Sequence, residues 1–213
     1  MTPERADAEI ALRALLEQVR ACRVCRDSPA GAPLPHEPRP VLRAEATATL
    51  CLAGQAPGTR VHASGLPYTD PSGDRLRQWM DVDSDTFYDT SRIAIVPMGF
   101  CFPGLDKAGG DLPPRKECAV TWHDAVYARL PRLKAIIAIG AYAQRYHLGP
   151  RAKGGVTETV RRWREINAAD RDGPAIFPLP HPSWRNSAWL KKNPWFEAEL
   201  LPELRKAVAD AIA

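Results

Sequence analysis

Four short apolar segments recur along the chain and predict the strands of one sheet. They cover residues 47–53, 93–96, 135–139 and 175–179, and each is of strand length with Gly or Pro next to it. Helical periodicity fills the intervals at residues 75–80, 117–130, 141–148 and 194–213, after a first helix over residues 4–21. Strands that alternate with helices are typical of a parallel sheet covered on both faces. The sequence therefore predicts a three-layer α/β/α fold with a central four-stranded parallel sheet.

Prolines crowd the segment between the first predicted helix and the first predicted strand. Residues 29–40 contain Pro29, Pro33, Pro35, Pro38 and Pro40. Because proline is excluded from helix interiors and central strands, this segment is expected to be an extended surface loop. With 213 residues, of which 45% are apolar, the chain is long enough for one α/β core and too short for two ordinary domains. We expect a single domain over residues 1–213.

Charge and hydropathy indicate the cellular location of the protein and say little about its function. A formal net charge of +4 permits binding to a polyanion, but many other enzymes are equally basic. No apolar run reaches the roughly 18 residues of a membrane span. The N-terminal segment mixes acids and bases where a signal peptide would be apolar. We expect a soluble cytoplasmic protein, associated with the nucleoid if it is bacterial.

Two motifs follow the first and the fourth predicted strand. GQAPG occupies residues 54–58, and HPSWR occupies residues 181–185. Taken alone, GQAPG is only a tight turn that leaves a strand. In open parallel sheets, however, the ligand site lies beyond the carboxyl ends of the strands, where both motifs fall. Their positions therefore predict one shared site.

The five cysteines do not suggest disulfides. An odd number leaves one cysteine over, and a cytoplasmic location disfavours such bonds. Cys22 and Cys25 form a CxxC at the end of the first helix, and Cys101 and Cys118 follow with sixteen residues between them. Cys51 lies inside an apolar strand and is interpreted as a core residue.

The two motifs resemble those of the uracil-DNA glycosylase superfamily, most closely its iron–sulfur branch, family 4. GQAPG is similar to that branch's first motif, which usually reads GEAPG, and HPSWR is similar to its second, which begins HPS. GLPY at residues 65–68 stands where relatives carry GRPF, and the resemblance covers roughly residues 20–205. It implies the same fold and a DNA repair enzyme. Such an enzyme flips uracil out of DNA and hydrolyses its N-glycosidic bond to leave an abasic site.

The resemblance also implies a cofactor. In family 4, a CxxC near the N-terminus joins two later cysteines to hold a four-iron, four-sulfur (4Fe-4S) cluster. Cys22, Cys25, Cys101 and Cys118 match that layout. Zinc accepts the same four ligands and is one alternative, and four unrelated buried thiols are another. Either metal would act structurally, by joining the first helix to the loop over residues 101–118.

Two side chains have implied roles at the base itself. His181 is the candidate donor of a hydrogen bond to the leaving base, and such a bond to a developing anion contributes on the order of 1.5 to 3 kcal/mol. Tyr68 stands where relatives carry the Phe that stacks on the flipped base. A histidine satisfied by backbone groups and an ordinary core aromatic are the alternatives. The remaining candidates for binding the base are Gly54, Ala56, Pro57, Met98 and Gly99.

Residues 181–195 carry three basic side chains and no acid, with tryptophans between them. The resemblance places Trp184 in a loop that relatives push into the duplex, where a wedge fills the gap left by an extruded nucleotide. A basic stretch of this kind suits a phosphate backbone, although a solvated helix start is the alternative. The candidate DNA contacts are Ser183, Trp184, Arg185, Lys191 and Lys192.

Three positions depart from the superfamily pattern. Gln55 stands where family 4 has Glu, and Ala56 stands where family 1 has Asp. A carboxamide does not accept a proton near neutral pH, so Gln55 is a catalytic candidate only as a group that orients water. Pro97 stands where relatives carry an Asn that reads uracil, which predicts looser selectivity. We expect uracil as the principal substrate, with hypoxanthine and xanthine as further substrates.

Asp70 and Asp74 are fallback candidates for a catalytic carboxylate, with a fold-stabilising or N-capping role favoured for both. One sister branch traps its product through a histidine in an insert after the second strand. The matching segment here, residues 104–111, contains no histidine, so ordinary turnover is expected. A non-catalytic protein that binds damaged DNA on the same scaffold is the alternative function, and a zinc-stabilised module is a weaker one. We expect a monomer whose partner is DNA that contains uracil or another deaminated base.

Overall fold

A four-stranded, all-parallel sheet forms the centre of the protein in a computed structural model that describes residues 3–169 and 173–213. The strand order is β2-β1-β3-β4. Helices pack on both faces of the sheet, which confirms the predicted three-layer α/β/α fold. The strands are β1 (Leu50–Ala53), β2 (Ile93–Ile95), β3 (Ala135–Ile139) and β4 (Ala175–Leu179).

The helices vary widely in length. Two π-helical turns, at residues 119–123 and 196–200, lead directly into helices. The α-helices are α1 (Pro3–Arg20), α2 (Val24–Asp27), α3 (Thr59–Ser64), α4 (Pro71–Met80), α5 (Ser84–Tyr88), α6 (Asp124–Tyr127), α7 (Gly140–Leu148), α8 (Gly155–Arg161), α9 (Trp163–Ala169), α10 (Ser187–Lys192) and α11 (Leu201–Ile212). In these described ranges, no helix is long and apolar enough to cross a membrane.

Alternate residues of each strand face two separate apolar layers. Cys51 and Ala53 pack with α1 and α6 on one face, while Leu50 and Leu52 pack with α4 and α11 on the other. Leu52 is paired with Ile95 of β2 and Ile137 of β3, so β1 lies in the middle of the ladder. A strand buried on both faces has no polar side to display, which explains the continuous apolar runs in the sequence.

The predicted and observed ends agree best for strands β3 and β4. β3 and β4 match residues 135–139 and 175–179, whereas β1 begins three residues after the predicted residue 47. The helix α4 begins before the predicted residue 75. Asp70 accepts hydrogen bonds from the Gly73 N–H and the Ser72 hydroxyl, which caps the first turn and fixes the start of the helix. This is the capping role that the sequence favoured for Asp70.

The proline-rich segment ends in a bridge that covers the exposed edge of β2. Arg43 and Ile95 exchange both backbone hydrogen bonds, at 3.0 and 2.7 Å, in an antiparallel bridge. The Val41 N–H donates to the Phe100 carbonyl at 2.7 Å. An edge strand covered in this way cannot pair with another chain. The extended loop therefore completes the sheet as well as crossing the surface.

Candidate active site

A cavity of about 250 Å³ opens where three of the four strands end. Its lining includes Gly54 after β1, Pro97 after β2 and His181 after β4. All five residues of GQAPG line the same cavity. The structure thus brings the first motif and the histidine of the second motif together. The volume lies just below the roughly 300 to 1,000 Å³ of sites for drug-sized ligands, which suits one nucleobase.

The GQAPG turn is held from behind by the chain that leaves β2. The Met98 N–H donates to the Gly54 carbonyl and the Gly99 N–H donates to the Gln55 carbonyl, both at 2.9 Å. Neither Met98 nor Gly99 is among the residues that line the cavity, and Pro97 occupies that position instead. Met98 lines a separate groove with residues of α7. The structure therefore places Met98 and Gly99 behind the first motif, where they support it.

The carboxamide of Gln55 faces the cavity without a partner. No hydrogen bond within residues 3–169 and 173–213 engages it. Ala56 and Pro57 lie beside it in the lining. This leaves the amide of Gln55 available to a ligand or to water, and its chemistry is that of a neutral donor and acceptor.

Tyr68 lies against Gly54 in a strained backbone conformation. Its φ is +58°, in the left-handed region that a residue with a side chain adopts at a cost of about 1 to 2 kcal/mol. The Tyr88 hydroxyl donates one shared hydrogen bond, to the Pro67 carbonyl at 2.7 Å and the Tyr68 carbonyl at 3.2 Å. A Cβ at Gly73 would lie 1.9 Å from the Tyr68 carbonyl oxygen, so only glycine fits there. Such strain is found where a surrounding structure fixes a functional side chain.

The ring of Tyr68 completes one wall of the cavity. A Cβ at Gly54 would lie 2.5 Å from the Tyr68 hydroxyl, so the absence of a side chain at Gly54 lets the ring approach the first motif. The ring meets Phe87 edge-on, with centroids 5.8 Å apart. Burial raises the pKa of the Tyr68 hydroxyl, which therefore stays neutral. The structure therefore places Tyr68 in the lining of the cavity beside the first motif.

His181 is held as a neutral imidazole with one defined tautomer. The Ser183 N–H donates to Nδ1 of His181 at 3.2 Å, so the ring proton resides on Nε2. His181 is exposed at the cavity, and partial desolvation by its neighbours lowers its pKa, although Asp70 and Asp111 oppose the shift. The Asn186 amide donates to the His181 carbonyl at 2.7 Å and fixes the loop. His181 therefore presents an N–H donor that is available to a ligand.

Two carboxylates line the cavity, and the sequence indicated only one of them. Asp70 was a fallback candidate, whereas Asp111 was not singled out. Asp111 lies at the end of a loop between Cys101 and Cys118, more than 50 residues from either motif along the chain. No local pattern connects it to the site, because only the fold of the loop brings it there. Asp74, the other fallback candidate, lies outside the cavity lining and pairs with Arg77 at 2.6 Å.

The loop after His181 presents an exposed aromatic side chain. Trp184 is 72% exposed, and the Arg185 guanidinium carbon lies 5.9 Å from the centre of its ring. Lys191 and Lys192 are exposed in the last turn of α10. The hydroxyl of Ser183 is already used, because it accepts a hydrogen bond from the Arg185 N–H at 3.1 Å.

The other two tryptophans of this stretch are structural. Trp189 donates from its indole N–H to the Thr157 hydroxyl at 2.7 Å, and both Trp189 and Trp195 pack against Phe196. Of the three tryptophans, only Trp184 remains available to a partner.

The four predicted ligand cysteines lie in one region of the molecule. Cys25 and Cys118 are in hydrogen-bond contact, which lowers the pKa of Cys25 and, together with burial, raises the pKa of Cys118. Burial raises the pKa of Cys101 to about 12, and charges on Cys25 and Cys22 add to the rise. Cys25, Cys101 and Cys118 are buried, and Cys22 is half-buried. Cys51 lies apart from them in β1 and is fully buried, as predicted.

Polar hydrogens already point at two of these sulfurs. The Phe100 N–H donates to Sγ of Cys118 and the Trp122 indole N–H donates to Sγ of Cys22, both at 3.3 Å. Hydrogen bonds of this kind tune metal-bound thiolates. In the part of the chain that the structure describes, however, no three His, Cys, Asp or Glu side chains form a group that could hold a metal ion. The four thiols have the donor chemistry of a thiolate-bound cofactor, but in this structure they are not drawn together into one ligand set, so the cofactor stays a prediction.

The fold and the cavity together define an α/β protein with a base-sized site at the carboxyl edge of its parallel sheet. A comparison with models of protein families matches residues 42–205 to the Uracil DNA glycosylase superfamily. Because the match covers well over half of the chain, the protein belongs to this superfamily. Membership indicates a DNA glycosylase whose substrate is DNA. The match begins after Cys22 and Cys25. It therefore shows the superfamily and does not show the predicted iron–sulfur branch.

Proposed function

We propose that the protein removes uracil from DNA by hydrolysis of the N-glycosidic bond. One observation carries the proposal: the cavity combines the GQAPG turn, the ring of Tyr68 and a neutral His181. Superfamily membership supports action on DNA. The volume of about 250 Å³ supports a single base as the occupant. A base inside a duplex cannot reach such a cavity, so the nucleotide must first be flipped out of the stack.

His181 stabilises the leaving group in this mechanism. As the bond to the sugar breaks, negative charge develops on a carbonyl oxygen of the base. The fixed tautomer of His181 supports donation from Nε2–H to that oxygen, and the lowered pKa favours a neutral donor. One such donor in a preorganised site is worth roughly 2.7 to 4 kcal/mol of transition-state stabilisation.

Tyr68 and the loop after His181 hold the flipped nucleotide. Stacking of the base on the Tyr68 ring contributes roughly 1 to 3 kcal/mol. The exposure of Trp184 supports its role as the wedge that fills the vacated space in the duplex. Arg185, Lys191 and Lys192 supply positive charge for the phosphates on either side.

Base selectivity is set mainly by shape in this proposal. Pro97 lines the cavity without a side-chain donor or acceptor, and the N–H groups of Met98 and Gly99 are used within the protein. A site that lacks a buried hydrogen-bonding reader rejects wrong ligands weakly. We therefore propose hypoxanthine and xanthine as further substrates.

We also propose that Cys22, Cys25, Cys101 and Cys118 hold a four-iron, four-sulfur cluster. Such a cluster would join the end of α1 to the loops that flank the cavity and would act structurally. The clustering of the thiols and the N–H donors at Cys22 and Cys118 support this assignment. Zinc remains the competing metal, and a cluster is distinguished from it by brown colour and broad visible absorption.

Single-turnover excision of uracil from an oligonucleotide tests the proposal, with the abasic product revealed by alkaline cleavage. Wild type is expected to cut. His181→Ala is expected to lose about 100- to 1,000-fold in rate, as for the removal of one preorganised donor. His36→Ala is the matched control, because His36 does not line the cavity.

Each outcome of this experiment is decisive. A wild-type protein that binds uracil-containing DNA and leaves it intact would identify the non-catalytic damage-binding alternative. A fully active His181→Ala variant would contradict the leaving-group role. Parallel substrates with hypoxanthine and xanthine test selectivity, and strict preference for uracil would contradict the shape argument.

A further inference from the structure

We propose that Asp111 is the catalytic carboxylate that positions the attacking water and accepts its proton. The inference rests on the proposed function, since it names the water-activating group of the same site. Gln55 and Ala56 stand where relatives carry acids, so the first motif supplies no carboxylate that could accept a proton from water.

A preformed hairpin over residues 104–112 presents Asp111 to the cavity. The Leu112 N–H donates to the Gly104 carbonyl at 2.9 Å, and Leu105 is bridged to Asp111. Across the turn, the Asp106 N–H donates to the Gly110 carbonyl at 2.7 Å. The Asp106 carboxylate also accepts from the Gly110 N–H at 2.8 Å. These bonds fix the hairpin without DNA, so Asp111 is held in place before substrate arrives.

The carboxylate of Asp111 lies directly beside the first motif. Its Oδ2 is 3.5 Å from the position that a Cβ would occupy on Gly58, which is van der Waals distance from the motif. It lines the cavity together with Gln55 and His181. No hydrogen bond or ion pair in the described part of the chain occupies this carboxylate. Both oxygens are therefore available to a water molecule.

Asp70, the second carboxylate of the cavity, is already committed. Its Oδ1 accepts from the Ser72 hydroxyl at 2.6 Å and from the Gly73 N–H at 3.3 Å. Hydrogen bonds donated to a carboxylate favour its ionised form, so these two bonds make Asp70 a weaker proton acceptor. Asp111 has no such bonds, so it is the better base of the two.

The electrostatic surroundings of Asp111 suit a general base. Asp111 is exposed, and partial desolvation beside the cavity still raises its pKa above the ordinary value, with Asp106 adding to the rise. Arg185 and His181 oppose the rise, and Asp70, which also lines the cavity, interacts with the charge of His181. A raised pKa strengthens a carboxylate as a proton acceptor.

The chemical step balances without any additional reactant. The bond between C1′ of the sugar and the base nitrogen breaks, and its electron pair leaves with the base. Water oxygen forms the new bond to C1′, and one water proton passes to the Asp111 carboxylate. Asp111 then releases that proton to the departed base or to solvent, which restores the carboxylate.

Asp111→Asn is the decisive variant, because it keeps the shape of the side chain and removes the proton acceptor. Its single-turnover rate on uracil-containing DNA is expected to fall about 100-fold or more, within the range for loss of a general base. The wild-type rate should rise with pH as Asp111 ionises, and the variant should lose this rise. Asp85→Asn is the matched control, since Asp85 is an exposed carboxylate outside the cavity lining. Affinity for DNA with a non-cleavable abasic analogue and the melting temperature should stay unchanged.

The outcomes separate this inference from the proposed function. If wild type leaves uracil in place, both fail. If wild type cuts and Asp111→Asn cuts within threefold of it, only the role of Asp111 fails. A variant with altered preference between uracil and hypoxanthine, but with the wild-type pH profile, would identify Asp111 as a reader of the base and would also overturn the inference.

Discussion

Gly54→Ala is expected to disable the site through a single contact. Gly54 has no positive φ, so its backbone accepts any residue and the cost arises from packing alone. The added methyl would lie 2.5 Å from the Tyr68 hydroxyl, about 0.9 Å short of the 3.4 Å at which ordinary contact begins. Tyr68 cannot retreat easily, because its carbonyl lies against Gly73 and accepts from Tyr88. The ring must therefore leave its stacking position, or the end of β1 must move.

The two possible movements, of the β1 end and of the Tyr68 ring, set the expected losses of stability and of excision rate in Gly54→Ala. Overpacking of this kind costs roughly 1 to 3 kcal/mol of stability, and about 2 kcal/mol lowers the melting temperature by roughly 4 to 8 °C in a chain of this size. Loss of base stacking costs roughly 1 to 3 kcal/mol, which corresponds to about 5- to 150-fold in single-turnover excision rate. Thermal melting and the excision assay measure the two effects separately.

A double variant tests whether the hydroxyl is the cause. Tyr68→Phe alone should retain activity within about threefold, because the stacking ring remains. In Gly54→Ala/Tyr68→Phe, the nearest ring atom to the new methyl would be 3.7 Å away, which is an ordinary contact. The double variant should therefore recover most of the lost rate and stability. If it is as impaired as Gly54→Ala, the reasoning from this contact is wrong.

Three further predictions concern the wedge, the cysteines and acid stability. Trp184→Ala should reduce excision more on duplex than on single-stranded substrate, because only a duplex needs a wedge; equal losses on both would refute this role. Cys25→Ser should abolish visible absorption and bound iron, whereas Cys51→Ala should retain both; a colourless wild type would refute the cluster. Burial lowers the pKa of His123 to about 4, against about 6.5 when unfolded. Its stability contribution is complete above about pH 6.5 and is lost as the pH falls toward 4, by on the order of 2 to 3 kcal/mol. Urea unfolding at neutral and acidic pH measures this loss, and His123→Gln, which retains a donor for the Pro97 carbonyl, should show a flatter dependence.

The fold was predictable because its strands are buried on both faces. Residues 135–139 form a strand that is buried throughout, so its five apolar positions mark both ends. Short helices such as α3 and α5 escaped prediction, because five or six residues are too few for a periodic pattern. The helix predicted over residues 117–130 is divided into a π-helical turn and α6, which periodicity alone does not distinguish.

The site was predictable only where its residues follow strands directly. GQAPG and His181 end β1 and β4, so the rule for parallel sheets brings them together. Asp111 reaches the cavity through the hydrogen bonds of a hairpin between residues that are distant from both motifs. Met98 and Gly99 have backbone groups whose partners depend on the exact path of the chain after β2. Interactions of this kind depend on tertiary structure, and no spacing in the sequence encodes them.

Arg75 connects the two sides of the cavity. From α4, next to the Tyr68 loop, its guanidinium donates to the Ser183 carbonyl at 2.9 Å and to the Ser187 hydroxyl at 3.4 Å. The helix α4 and the loop that carries Trp184 are therefore joined in the free protein. The entropy of aligning them is lost once, when the chain folds, and is not lost again at every lesion. An enzyme that must test many undamaged bases for each damaged one gains speed from a receptor that needs no reassembly between trials.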